Sequence, residues 1–529
     1  MHKRYRQAWL AAAPRRLVLV GVCVVIAGCS VGPSQRPPVA VRGDAMPAPT
    51  AAPGTAAPTP DMLPDLEPQN ASIPFHDCTA DTLATLRTPS SRSLRFECGE
   101  LSVPADPAAP QLGAVSMGVL RAGLADAPKN RPPLLVLGDS AGDASARVAA
   151  LLAEQVSPDL LGQFTLVGMD RRGAGADRLD CAPSDARAAL VDADPAQSSP
   201  GDLTDLLEQA RAVVQECNLT LDSTLSTVRS ASTASDVDLL RAALGVGRLS
   251  AIGIGDGAGA LATWAGTVPR AVGRLVLDGP PQPGLDEPDR SEAQAKAAEA
   301  AFDAFAVSCT AQPGCVLGAT PRTTVTGLVT ALRSRPLATA DGRRLTAGSA
   351  VTAIRAKLGE PRDWPALTAA IAAAGTGDPA PLLGLLDPLA GPRGRFDGAL
   401  ATACNDTRNR LSPAQISELA TRWSRTYPLF GGTAALGLLD CAPWPTGGRA
   451  PAATSSDGAP PMLVLGTAGD PRDPLDGSRR ASDALPTARF LSWLGTGTGA
   501  YPRTPCVAGV VDAMLVDGTV PQAGTLCPP

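Results

Sequence analysis

The sequence predicts an α/β protein with a doubly wound, mostly parallel sheet and an inserted helical cap. Three observations lead to this prediction. Short continuous apolar runs, typical of strands buried on both faces, alternate with helical segments over the first half of the chain. Mostly helical segments then replace the strands between residues 285 and 455. Strand signals return after Pro460, which favours an insertion within one sheet over an independent helical domain.

The N-terminus has the features of an export signal. An apolar stretch at residues 17–26 follows several basic residues and is too short to span a bilayer comfortably. The sequence Ile26-Ala27-Gly28-Cys29 resembles a bacterial lipobox. We therefore expect residues 1–28 to be a lipoprotein signal peptide, with lipidation of Cys29 and anchoring to the outer face of the cell membrane. An ordinary secretory signal is the alternative.

The remaining boundaries follow from changes in composition. Residues 29–74 are rich in proline and alanine, so we expect an extended tether that buries little surface. The first part of the α/β core is expected at residues 75–284, the helical cap at 285–455 and the second part of the core at 456–529.

The composition of the chain argues against a nucleic-acid partner. The chain has 529 residues, of which 44% are hydrophobic, so a large core is available. A net charge of −5, only 3% aromatic residues and no basic stripe argue against a nucleic-acid partner. The only histidines are His2, in the predicted signal, and His76. No cofactor or metal is indicated.

The cysteines indicate a disulfide framework. Ten of the 12 cysteines follow His76, an even number behind an export signal. A zinc site is disfavoured because no CxxC pair occurs and histidine is scarce. Connectivity does not follow from sequence alone, and pairing of neighbours is the expectation. The expected pairs are Cys78–Cys98, Cys181–Cys217, Cys309–Cys315, Cys404–Cys441 and Cys506–Cys527.

Eight strands and six cap helices can be placed from the apolar pattern. The predicted strands are Leu94–Cys98, Val115–Leu120, Pro133–Leu137, Phe164–Met169, Leu249–Ile254, Arg274–Gly279, Met462–Gly466 and Phe490–Leu494. The predicted cap helices are Ser291–Val307, Thr324–Arg333, Ala347–Leu358, Ala366–Ala374, Asp397–Thr407 and Pro413–Ser424.

One glycine-rich turn lies where a strand passes into a helix. Gly253-Ile254-Gly255-Asp256-Gly257 follows the predicted strand Leu249–Ile254 and precedes a segment of small residues. Strand, tight turn and helix form the frame of the nucleophile elbow, G-x-S-x-G. Gly255 stands at the position of the nucleophilic serine.

Several further motifs occur in order and carry a family resemblance. The segment from Cys78 to Cys527 resembles the secreted tripeptidyl-aminopeptidase-like α/β hydrolases, which are relatives of the proline iminopeptidases. The resemblance implies an α/β-hydrolase fold. In the first motif, Arg171 replaces a proline of the family. The motifs are Asp170-Arg171-Arg172-Gly173-Ala174-Gly175, Asp236–Arg241, the elbow itself, Arg274–Gly279, Cys441-Ala442-Pro443-Trp444-Pro445 and the closing stretch Cys506–Cys527.

The resemblance also locates a degenerate catalytic triad. The family's serine, acid and histidine fall on Gly255, Asp470 and Thr498. Its oxyanion loop falls on Gly138-Asp139-Ser140, where Asp139 would bring negative charge to a developing oxyanion. Because glycine has no nucleophile and threonine cannot shuttle a proton near neutral pH, we expect no Ser-His-Asp hydrolysis.

Three functional hypotheses remain at this point. The leading one is a non-catalytic protein that binds a peptide, a lipid or an envelope protein in the old cleft. The alternative is a peptidase or esterase with a rearranged site, using Ser140 as nucleophile, Asp256 as a carboxylate nucleophile, or His76 as base. The third is a purely structural envelope protein.

Overall fold

The computed structural model describes residues 62–86, 91–197, 199–445 and 456–529. The predicted signal peptide, Cys29 and most of the predicted tether lie outside these residues. The strands are β1 His76–Asp77, β2 Leu94–Pro104, β3 Ala114–Leu124, β4 Pro133–Leu137, β5 Thr165–Met169, β6 Leu249–Ile254, β7 Val272–Asp278, β8 Leu337–Ala338, β9 Arg344–Leu345, β10 Met462–Gly469, β11 Ala488–Thr496 and β12 Thr525–Cys527.

Ten of these strands form one sheet, in the order β1-β2-β3-β5-β4-β6-β7-β10-β11-β12. The pairs from β1 to β5 are antiparallel, and all pairs from β5 to β12 are parallel. The predicted doubly wound, mostly parallel sheet is confirmed. Strands β4, β5 and β7 are buried along their whole length, which explains why apolar residues predominate in them.

Helices cover the sheet and build the cap. Helices α8 to α16 lie between β7 and β10, where the sequence predicts an insertion. The helices are α1 Thr79–Leu86, α2 Ser145–Ala153, α3 Pro158–Gln163, α4 Ser184–Asp192, α5 Pro200–Leu221, α6 Ser230–Ala243, α7 Asp256–Thr267, α8 Glu287–Thr310, α9 Pro321–Ser334, α10 Ala347–Leu358, α11 Trp364–Gly375, α12 Ala380–Gly384, α13 Asp387–Ala390, α14 Phe396–Asp406, α15 Pro413–Thr426, α16 Gly431–Gly437, α17 Leu475–Asp483 and α18 Pro505–Asp512. No helix among the described residues is both long and apolar enough to cross a membrane.

Helix α5 packs with the cap, although the predicted boundaries assign it to the core. Leu203 and Leu206 of α5 are buried in the same apolar cluster as Ile416 and Trp423 of α15. The boundary at residue 284 is therefore too simple, because α5 precedes the elbow in sequence but packs with the cap. Helix α5 belongs with the cap because its apolar side chains are buried together with those of α15. The periodicity of a sequence does not show which helices will pack together.

The predicted tether ends earlier than residue 74. Ile73 is 7% exposed and belongs to the main core cluster. The amide groups of Asn70 and Ser72 donate to the carbonyl oxygens of Leu244 and Ala243, at 2.9 and 2.8 Å. Residues 70–72 are thus held on the end of α6 by backbone hydrogen bonds, which corrects the expectation that they belong to an extended tether.

Five disulfides join neighbouring cysteines, in the expected pairing. Cys404–Cys441 and Cys181–Cys217 share one buried cluster, and the first of them ties α14 to the segment after α16. Cys506–Cys527 ties α18 to the edge strand β12. Each bond closes a local loop, so the cross-links stabilise individual layers of the fold.

Candidate functional site

The backbone of the nucleophile elbow is present. Strand β6 ends at Ile254, helix α7 begins at Asp256, and Gly255 lies between them at φ +58° and ψ −128°. L-residues seldom adopt this conformation, and it is the strained turn that a nucleophile elbow requires. A Cβ at Gly257 would lie 2.6 Å from the carbonyl oxygen of Gly138, so close packing of the turn also requires glycine there.

The side chain of Asp139 occupies the space of the missing nucleophile. A Cβ built on Gly255 would lie 3.0 Å from the Asp139 Cγ and would collide with its Oδ2. The carboxylate is held in place from three sides. Its Oδ1 accepts hydrogen bonds from the Ala141 amide at 2.8 Å and from Arg472 Nη1 at 3.2 Å. Its Oδ2 accepts a hydrogen bond from the Asp256 amide at 3.2 Å.

The two backbone amides that would form an oxyanion hole both donate hydrogen bonds to carboxylates. In this fold the hole combines the amide after the nucleophile with an amide of the early loop. Here the first of these amides, at Asp256, donates to Asp139. In the early loop, the amide of Ser140 donates to Asp256 Oδ1 at 2.8 Å. An oxyanion forming here would meet two carboxylates rather than free N–H groups, which would raise its energy.

Arg171 forms an ion pair with Asp256. Its guanidinium Nη1 contacts Asp256 Oδ1, and its Nη2 donates to Ser230 Oγ at 3.3 Å. The Arg171 side chain is 5% exposed, so this charge depends on Asp256 for neutralisation. This pair was not predicted from the sequence. The signal was present as an arginine at a proline position of the family, together with an aspartate beside the elbow.

The acid and base positions lie together although the base is absent. Thr498 Oγ1 donates to Asp470 Oδ1 at 3.1 Å. Asp470 also accepts from the Arg472 amide at 2.8 Å, and burial raises its pKa to about 6. A Cβ at Gly359, directly after α10, would lie 2.6 Å from Thr498 Oγ1. The cap thus packs onto the histidine position and leaves less room for an imidazole.

Comparison with known proteins agrees with this architecture. A family profile described as "TAP-like protein" matches residues 427–527. A tripeptidyl aminopeptidase of Streptomyces lividans is 23% identical over 475 residues, covering 87% of each chain. The chain is similar to the TAP-like α/β hydrolases. The serine protease Hip1 of Mycobacterium tuberculosis is 29% identical over 460 residues, covering 81% of this chain and 87% of that protein. Carboxylesterase B of the same organism is 29% identical over 491 residues, covering 88% and 91%.

In this α/β-hydrolase fold, several carboxylates lie close together around the elbow. Burial, followed by the negative charges of Asp470 and Asp139, raises the pKa of Asp473 well above its ordinary value. Burial and the charge of Asp256 likewise raise the pKa of Asp139. Arg472, which bridges to Asp139, opposes both shifts. Negative charge is therefore concentrated on the elbow side of the site.

A cavity of about 290 Å³ lies between the elbow and the cap. Asp139, Ser140 and Asp256 lie at the elbow side of its wall, and Gln294 and Arg355 enter from cap helices α8 and α10. Of the site residues predicted from sequence, the three on the elbow side line a space large enough for part of a small organic molecule, whereas Gly138, Gly255, Asp470 and Thr498 are not in its wall.

The remaining predicted groups lie elsewhere or are already bonded. His76 is exposed on β1, at the edge of the sheet opposite to β12, and β2, β3, β5 and β4 separate it from β6. Among the described residues, the only His, Cys, Asp or Glu side chains close enough together to bind a metal are Cys181, Cys217 and Asp397. The two cysteines form a disulfide, so this group is not a metal site.

Proposed function

We propose that this protein is a non-catalytic TAP-like hydrolase homologue that binds a ligand in the cavity beneath its cap. One observation carries the proposal. The Asp139 carboxylate fills the position of a nucleophile's side chain, above a Gly255 that has no side chain of its own. In a serine protease such as subtilisin, loss of the nucleophile or the base lowers kcat by about 10⁶-fold.

The ligand classes to examine come from the relatives. They are named a serine protease, a carboxylesterase and a tripeptidyl aminopeptidase. Peptides and carboxylic esters are therefore the first compounds to test as ligands of this cavity. Binding by a former active site requires the cavity and its polar lining, and neither depends on the catalytic serine.

One contact favours a second candidate function, an enzyme with a rearranged site. Ser140 Oγ donates a hydrogen bond to Asp256 Oδ2 at 2.5 Å, which is the pairing of a hydroxyl nucleophile with a carboxylate base. The ion pair of Asp256 with Arg171 opposes this role, because the carboxylate is already held by the guanidinium and by the Ser140 amide.

A fluorophosphonate probe tests both candidates. We expect the purified protein to remain unlabelled and to hydrolyse neither p-nitrophenyl esters nor aminoacyl p-nitroanilides above the rate in buffer. Labelling that disappears in Ser140→Ala but persists in the control Ser235→Ala, an exposed serine of α6, would establish the rearranged enzyme instead. Labelling unaffected by Ser140→Ala would also contradict the non-catalytic proposal.

We also propose that the protein is exported and anchored by a lipid on Cys29. The lipobox-like sequence and the proline-rich segment after it support this proposal. In bacteria fed an alkyne-labelled fatty acid, we expect the wild-type protein to carry label in the membrane fraction. Cys29→Ala should abolish the labelling, whereas Cys23→Ala, in the apolar stretch, should keep it. Equal labelling of both variants would contradict the anchor.

A further inference from the structure

Arg355 brings a positive charge to the cavity. It lies on cap helix α10, and its Nη2 donates to Gln294 Oε1 at 3.2 Å. Within the described part of the chain, no carboxylate forms an ion pair with it. Burial, and then the neighbouring charge of Arg472, lower the pKa of Arg355 to about 10, while the charge of Glu287 opposes this shift, so Arg355 stays protonated at neutral pH.

The other cations of the cavity are already neutralised. Arg472 pairs with Asp139 at 3.2 Å. Arg290 pairs with Glu287 at 2.8 Å. Arg355 therefore differs from both, because its guanidinium has donors to spare and no fixed anion. An arginine offers five N–H donors in a planar arrangement that matches a carboxylate. A charge removed from water without a partner raises the free energy of the folded protein.

Apolar groups make up much of the rest of the cavity wall. Prolines of the loop after β7, alanines of α14 and a leucine after α17 line the same space as Arg355. Carboxylates also line the space, but those of Asp139, Asp256 and Glu287 are paired with arginines, and burial raises the pKa of Asp406 and Asp473. A ligand that pairs with Arg355 and covers the apolar wall has an apolar body and a single anionic group. The apolar residues include Pro280, Pro281, Pro283, Leu285, Ala403 and Leu485.

We propose that the cavity binds a small carboxylic acid with an apolar body, whose carboxylate pairs with Arg355. This inference rests on the proposed binding function and specifies its ligand class. Two parallel N–H···O bonds would hold the carboxylate on the guanidinium. The ligand's apolar part would lie against the proline, alanine and leucine side chains, where its burial from water stabilises the complex.

A matched series of eight-carbon compounds tests the proposal. Octanoate, octanol and octylamine share one alkyl chain and differ in head group, and their binding to the purified protein can be compared by isothermal titration calorimetry. We expect octanoate to bind about tenfold or more tighter than octanol, the range for a hydrogen bond to a charged group. Octylamine should bind most weakly. Octyl phosphate separates a carboxylate preference from general anion binding, since we expect it to bind more weakly than octanoate.

Variants of Arg355 identify the anchor. Arg355→Met should abolish the preference for octanoate over octanol, while Arg355→Lys should retain part of it. Arg335→Met, an exposed arginine just after α9, is the matched control and should bind as the wild type does. Unaltered melting temperatures would exclude misfolding.

Several results would overturn this inference. It would be overturned by equal affinity for the three head groups or by no binding of any of them. It would also be overturned by octyl phosphate binding as tightly as octanoate, or by a preference for octanoate that survives Arg355→Met. None of these results bears on catalysis. Turnover or fluorophosphonate labelling would instead contradict the proposed function, so the two failures are distinguishable.

Discussion

A variant that combines Gly255→Ser, Thr498→His and Asp139→Gly is expected to react with a fluorophosphonate probe. We expect its labelling rate to be about tenfold or more above that of the double variant, which carries only Gly255→Ser and Thr498→His. The double variant restores the nucleophile and base positions implied by the family resemblance. It leaves the Asp139 carboxylate overlapping the new serine and bonded to the Asp256 amide. Removing that carboxylate frees both the serine's space and one oxyanion donor.

The expected reactivity of the triple variant is still modest. The Ser140 amide remains bonded to Asp256, so only one of the two oxyanion donors is regained. Losing one such donor costs an enzyme about 10²–10³-fold in kcat. The close approach of Gly359 to residue 498 also restricts a new imidazole.

Labelling rates measured by in-gel fluorescence, with circular dichroism spectra to verify folding, decide the outcome. Asp139→Gly alone is the control and should stay unlabelled, because it supplies no nucleophile. If the double variant reacts as fast as the triple variant, Asp139 is not the obstacle that we infer. A folded triple variant without any labelling would show that the elbow frame does not support a nucleophile.

Replacing Asp473 with asparagine is expected to stabilise the fold near neutral pH, by an amount that shrinks as the pH falls toward about 4. Burial and the nearby Asp470 and Asp139 raise the pKa of Asp473 in the folded protein. Above the ordinary aspartate pKa of 3.8, the unfolded chain releases this proton while the folded protein retains it. The native state then binds more protons, so the free energy of unfolding falls as the pH rises.

Asparagine removes this dependence because it has no proton to release. The gain should grow by up to about 1.4 kcal/mol per pH unit between the two pKa values of Asp473. Urea unfolding of both proteins at about pH 4.5, 6 and 7.5 measures it. Asp205→Asn, on the exposed face of α5, is the control and should leave the pH dependence unchanged. A variant that is no more stable than wild type at pH 7.5 would contradict the crowding of carboxylates at this site.

Much of the fold could be predicted from sequence because its signals are local. The predicted bounds of β4, β6 and α10 agree with the structure, since each element has a continuous or periodic apolar pattern. The disulfides could be anticipated for the same reason, because each joins a cysteine to its neighbour in the sequence. The ends of β2 and β3 were missed, since these half-exposed strands extend beyond their apolar centres.

For the candidate site, the sequence by itself determined which side chains are absent. Gly255 lies in a recognisable turn, and the chain has no histidine after residue 76. Only the tertiary structure decided what fills the gap. Asp139 contacts an amide 117 positions later in the chain, and Arg171 pairs with a carboxylate 85 positions later. Such contacts depend on the order of the strands in the sheet and on where the cap packs. Residue type and periodicity do not show which distant side chains will be in contact.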